Sequence, residues 1–134
     1  MLLKQISVFL ENKSGQLSEF VDLLAQNQID LRALSIAEAQ DYGVLRIIVD
    51  KPEETLSLLR AQNWICTATD VLAVTVPDEP GSLTKILKTL ADKDVSLAYT
   101  YAFLSGDAGK ACIILRVDDN AWAEKLLKDA GVIC

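Results

Sequence analysis

The chain repeats itself. Asn12-Lys13-Ser14-Gly15-Gln16-Leu17 returns 66 residues later as Asp78-Glu79-Pro80-Gly81-Ser82-Leu83. The apolar spacing around it returns as well. Ile6, Val8 and Leu10 answer to Leu72, Val74 and Val76, and Leu17, Phe20, Val21 and Leu24 answer to Leu83, Ile86, Leu87 and Leu90. The second copy gains two residues in the loop at Ser105–Lys110, and the offset becomes 68. Leu45, Ile47 and Val49 then match Ile113, Leu115 and Val117, Leu58-Leu59 match Leu126-Leu127, and Ile65-Cys66 match Ile133-Cys134. Few folds satisfy such a period, because each copy must form its own apolar face within about 65 residues.

The periods inside one copy give its elements. Residues 3–10 alternate like a half-buried strand, with Ile6, Val8 and Leu10 on one side and Gln5, Ser7 and Phe9 on the other. Leu17, Phe20, Val21 and Leu24 fall at i, i+3, i+4 and i+7, one stripe of a helix that ends at Asn27-Gln28. Leu31 to Ala39 reads as a second strand, Asp41-Tyr42-Gly43 as a turn, and Val44 to Val49 as a third strand. Pro52 suits the first turn of a helix running to about Gln62, and Trp64 to Thr67 reads as a short fourth strand. Arg46 and Arg116 hold the same parity, opposite the apolar set, as a sheet with one covered face requires. The expected fold is α+β, two tandem ferredoxin-like β-α-β-β-α-β units with helices on one face, covering 1–68 and 69–134 and linked by Ala68-Thr69-Asp70.

The repeated corner has a chemistry. Glycine permits a tight strand-to-helix turn. The helix that follows presents unpaired N–H groups and the positive end of its dipole, which suits a carboxylate. Ser-Gly and Pro-Gly are also ordinary turn dipeptides, so one corner alone identifies no ligand.

Composition narrows the function. The net charge of −6 offers no basic footprint for nucleic acid or an anionic membrane. The absence of histidine removes the commonest general base and metal ligand. Cys66, Cys112 and Cys134 are scattered without a CxxC pair, which points away from zinc or a disulfide framework and toward reduced cysteines in the cytoplasm. No signal peptide is read at Met1-Leu2-Leu3-Lys4, and no apolar run reaches the ~20 residues of a membrane helix.

The stretch Val74-Thr75-Val76-Pro77-Asp78-Glu79-Pro80-Gly81-Ser82-Leu83 resembles the strand, acidic-Pro-Gly corner and helix start of ACT domains. Ile29-Asp30-Leu31 and Val95-Ser96-Leu97 resemble that family's entry to the second strand. The first corner departs from the pattern, with Lys13-Ser14 where acidic-Pro stands in the second. The resemblance spans nearly the whole chain. It implies units side by side in one eight-stranded antiparallel sheet. It also implies a non-catalytic protein that binds a small molecule, an amino acid, between units and regulates a metabolic enzyme. No cofactor and no metal site is read from the residues. The ligand-binding candidates carried over are Asn12, Ser14, Gly15, Gln16 and Leu17 in the first copy. In the second they are Asp78, Glu79, Pro80, Gly81, Ser82 and Leu83, with Asp30 and Ser96 at the strand entries. A small enzyme on the same fold is the alternative, and it lacks a readable acid–base set. An interaction module without a ligand is another.

Tyr99, Tyr101 and Phe103 alternate on one side of a strand. They read as sheet or dimer packing rather than as a base-stacking platform, because the first copy has Ala33, Ser35 and Ala37 there. An apolar open face, with Phe9 and Ile48 contributing, suggests a homodimer. Glu53-Glu54 and Asp118-Asp119-Asn120 read as helix-start acids.

Overall fold

The computed structural model describes residues 1–38, 41–104 and 107–132. Ten elements follow in order: β1 (Leu2–Glu11), α1 (Gln16–Gln26), β2 (Leu31–Glu38), β3 (Tyr42–Val49), α2 (Pro52–Ala61), β4 (Cys66–Pro77), α3 (Ser82–Ala91), β5 (Leu97–Ala102), β6 (Lys110–Val117) and α4 (Asn120–Asp129). The chain divides into two compact units, Lys4–Thr69 and Asp70–Cys134 together with Met1–Leu3.

In the N-terminal unit β3 lies between β1 and β2, antiparallel to both, with Ile6 opposite Ile47 and Leu34 opposite Ile47. Ile6, Val8, Leu10, Leu45, Ile47 and Val49 form one apolar face, against which Phe20 and Leu24 of α1 and Leu56 and Leu59 of α2 pack. Trp64 closes this core, its ring edge-on to Phe20 with centroids 5.2 Å apart. In the C-terminal unit β6 lies between β4 and β5, again antiparallel, with Val74 opposite Ile113 and Thr100 opposite Leu115. Ile86 and Leu90 of α3 and Ala123 and Leu127 of α4 cover Leu72, Val74, Leu115 and Val117. Burying each Val, Leu or Ile contributes about 1.5–3 kcal/mol, so these two apolar faces are what hold the helices on.

Acids mark the starts of α2 and α4. Pro52 opens α2 with Glu53 and Glu54 in the first turn. Asp119 caps α4, its Oδ1 accepting from the Trp122 N–H at 3.0 Å. Asp119→Ala is expected to lower stability by about 1 kcal/mol, the usual loss for a side-chain cap. Urea unfolding of both forms checks it; an unchanged midpoint would mean the cap contributes nothing.

Several expectations are corrected. Six strands are present among the described residues. The fourth strand of the first repeat is not a separate piece: it is the opening of β4, which runs on through Ala68-Thr69-Asp70. Thr67, Thr69 and Val71 are β-branched, and no glycine or proline stands before Pro77, so nothing ends the strand there. The matching strand of the second repeat, at Ile133-Cys134, lies outside the described residues, as do Ala39 and the Ser105 end of the expected insertion. The turn expected at Asp41-Tyr42-Gly43 is shorter, because Tyr42 and Gly43 already pair with Glu11 and Leu10. Tyr42 packs its ring on Phe9 at 5.9 Å, which rewards extending the strand. Ile48 is only 4% exposed, so it cannot belong to an open apolar face, whereas Phe9 remains accessible. Tyr99 and Tyr101 are half-buried and stack with centroids 6.4 Å apart.

Candidate functional site: two glycine corners and their cavities

Both repeated corners turn through a left-handed glycine. Gly15 has φ +84° and Gly81 has φ +94°, and each is the N-cap of its helix without a side-chain cap hydrogen bond. A Cβ at either glycine would meet nothing within 4 Å. The glycines are therefore required for backbone sign rather than for room. Gln16 and Ser82 donate their N–H to the Lys13 and Glu79 carbonyls at 3.4 Å, so the next two N–H groups of each helix and the positive dipole end are what each corner presents.

Beside the second corner lies a cavity of about 510 Å³. Its floor is Thr75, Val76 and Pro77 at the end of β4, and its far wall is Gly131-Val132 beyond α4. Glu79, Pro80, Gly81 and Ser82 supply the corner, and Lys85 reaches in from the next turn of α3. Among the described residues neither Glu79 nor Lys85 has an ion-pair partner. Asp78 and Leu83, the other two candidates there, do not line it. The Asp78 N–H donates to the Gly109 carbonyl at 2.9 Å, and Asp78 borders a separate cleft of about 200 Å³ with Lys110 and Cys112. Burial pushes the Cys112 thiol up, while a hydrogen bond with Thr75 works the other way, so this cysteine is a poor nucleophile at neutral pH.

The first corner has its cavity in the equivalent place, with about 310 Å³. Phe9, Leu10 and Glu11 stand where Thr75, Val76 and Pro77 stand in the second copy, and Asn63-Trp64 replaces Gly131-Val132. Gln16 is the one first-copy candidate that lines it, and the Gln16 Oε1 atom is buried without a hydrogen-bond partner. Asn12, Ser14 and Gly15 are exposed beside it, and Leu17 packs on the core instead. Lys13, in the place of Glu79, is tied to Glu11 at 2.7 Å. The hydrogen bond to that carboxylate, then its charge, holds the Lys13 ammonium above its ordinary pKa.

Asp30 and Ser96 do not reach the corner of their own unit. The corner lies at the end of the sheet where Glu11 faces Tyr42, while Asp30 adjoins the pair Leu31–Val49. Seven residues of strand, roughly 23 Å, separate the two ends. Asp30 is engaged there: its N–H donates to Asp50 Oδ1, and its carboxylate pairs with Arg32 at 2.9 Å. Ser96 sits beside Leu97–Val117, and the second corner follows Pro77–Lys110 at the opposite end.

Sequence reasoning missed Lys85, Thr75, Gly131 and Val132. Lys85 had a signal. It stands four residues after Gly81 and therefore on the same side of the helix start. Gly131 and Val132 had none, since only the antiparallel packing of the unit brings residues past its last helix to its first corner.

Among the described residues no group of three Asp, Glu, Cys or His side chains converges as a metal set, and no helix is long and apolar enough to cross a membrane. No curated protein matches the sequence. Among solved structures the chain is similar to protein BT0572 of Bacteroides thetaiotaomicron, at 36% identity and TM-score 0.91, covering 99% of this chain and 91% of that one. It shares its fold with the ligand-free regulatory subunit of aspartate kinase from Thermus thermophilus, at 14% identity and TM-score 0.68, covering 95% and 91%. The same holds for the regulatory subunit from Thermus flavus, at 13% identity and TM-score 0.63, covering 98% and 95%. The family model described as an ACT domain pair matches residues 1–132, and with two glycine corners on two ferredoxin-like units, this chain belongs to that family.

Proposed function

We propose that the chain is a non-catalytic regulatory protein that binds a small molecule, an amino acid, at its glycine corner and passes occupancy on to a metabolic enzyme. The observation that carries this reading is the cavity at Gly81, where an uncapped helix start, Lys85 and Glu79 surround one space. An α-carboxylate finds the Lys85 ammonium and the positive end of the α3 dipole there, and an α-ammonium finds the Glu79 carboxylate. The volume suits a small ligand. A helix terminus contributes only about 0.3–1 kcal/mol to an anion, while micromolar binding needs about −8 kcal/mol. Enclosure must supply the rest. A second copy of the chain provides it by pairing along β2 or β5, which among the described residues pair only with β3 and β6 respectively. Such a homodimer extends the sheet of each paired unit toward eight strands. The regulatory subunits of aspartate kinase that share the fold lend support to an enzyme partner. Coupling of ligand to partner is then worth about 1–3 kcal/mol and is reciprocal.

A thermal-melt screen of the full chain against the twenty amino acids tests the proposal. At about 100 times its dissociation constant a specific ligand adds ~2.7 kcal/mol, a rise of several degrees. The rise is expected for one or two amino acids and is lost in Gly81→Val, where a branched side chain is forced to positive φ and toward the cavity. An unmoved melt with all twenty would overturn the reading and leave a protein-interaction module.

A further inference from the structure

The repeat gives the chain two cavities in equivalent places, and their walls differ in a way that decides which can hold a zwitterion. The C-terminal cavity carries one charged side chain of each sign, Glu79 and Lys85. At the equivalent positions the N-terminal unit has the signs exchanged, Lys13 for Glu79 and Glu19 for Lys85. Neither of these lines the N-terminal cavity, whose one charged wall residue is the acid Glu11, already paired with Lys13 at 2.7 Å. Size runs the same way. Phe9 and Trp64 replace Thr75 and Val132, and the space falls from about 510 to about 310 Å³.

We infer that each chain binds one amino acid and not two, in the C-terminal cavity, with Lys85 and Glu79 as the specificity-determining residues for its α-carboxylate and α-ammonium. This rests on the regulatory reading above and deepens it. An amino acid in the N-terminal cavity would meet Glu11 as the only charged wall residue, and the nearby Lys13 ammonium is already engaged by that carboxylate. Glu19, in the first turn of α1, already complements that helix start. In α3 the first turn holds no acid, so the helix end and Lys85 remain for a ligand anion. The ligand must then carry both charges: an acid without the amine loses Glu79, and an amine without the acid loses Lys85.

Titration calorimetry of the full chain with each of the twenty amino acids tests this, alongside the Lys85→Ala, Glu79→Gln and Glu19→Gln variants. The expected stoichiometry is one ligand per chain. Lys85→Ala and Glu79→Gln each weaken binding about ten- to a hundredfold, the loss of one charged hydrogen-bonded contact. Glu19→Gln leaves the affinity unchanged. The carboxylic acid and amine analogues of the bound amino acid are expected to bind at least tenfold more weakly than the amino acid itself. Two ligands per chain, or full affinity in Lys85→Ala, would overturn the single-site assignment while leaving the regulatory reading in place. No binding by any amino acid would overturn both. Circular dichroism confirms that each variant is folded, since all three positions are exposed and outside the cores.

Discussion

Phe20→Ala is expected to remove about 3–5 kcal/mol from the N-terminal unit. The ring is fully buried at the centre of the core formed by α1, α2 and the apolar face of β1 and β3. Its loss leaves a cavity that the backbone of two helices and a sheet cannot collapse to fill, and it removes the edge contact with Trp64. A unit of about 65 residues has roughly 3–10 kcal/mol in total, so about a third or more of its stability goes with one side chain. The repeat supplies the comparison. Ile86 occupies the same place in the C-terminal core and is equally buried. Ile86→Ala should cost less, about 2–5 kcal/mol, because fewer atoms are removed. Trp64 and Trp122 are the two tryptophans, one in each unit. With Trp122→Phe as background, Trp64 fluorescence reports the N-terminal unit, and Phe20→Ala should move its urea midpoint to far lower concentration. An unmoved midpoint would mean that Phe20 is not at the centre of this core.

The features legible in the sequence are those set by local periodicity. Strand alternation, the helical stripe from Leu17 to Leu24 and the 66-residue return of Gly15 as Gly81 all depend on near neighbours, and each appears in the structure where its spacing put it. What stayed hidden depended on distant residues or on the absence of a stop. Ala68-Thr69-Asp70 looked like a linker because a repeat boundary fell there, yet nothing in those residues ends a strand. Ile48 looked available because its parity placed it opposite the core, and parity carries no information about what covers that side. The corners were legible but their walls were not. Asp30 and Ser96 were carried over from a family pattern, and within their own units the register sets them at the far end from the glycine. Gly131 and Val132 come to the corner only through the packing of α3 beside α4, which pairs residues about fifty positions apart, whereas Lys85 stands one turn after Gly81 on the same helix.

Thr75→Phe is expected to abolish amino-acid binding, weakening it more than a hundredfold, without unfolding the chain. Thr75 is on the floor of the C-terminal cavity, and Phe9 fills the equivalent position in the N-terminal one. The substitution therefore copies a wall that the same backbone already accommodates. Phe9 stays 41% exposed in its own unit, so a ring at this place needs no room inside a core. The added ring instead takes up volume where a ligand would lie, and a ligand that loses its place loses every contact at once. Removing Lys85 or Glu79 deletes one contact; a ring on the cavity floor displaces the ligand from several at once, which is why its effect should be the larger. The stability cost should stay near the ±0.5 kcal/mol of a change outside the core, since Thr75 is not part of the C-terminal core. Calorimetry and urea unfolding on the same preparation separate the two effects. Binding lost with the urea midpoint nearly kept places the ligand on Thr75. Full affinity with Phe at position 75 would move the ligand away from the floor of the Gly81 cavity.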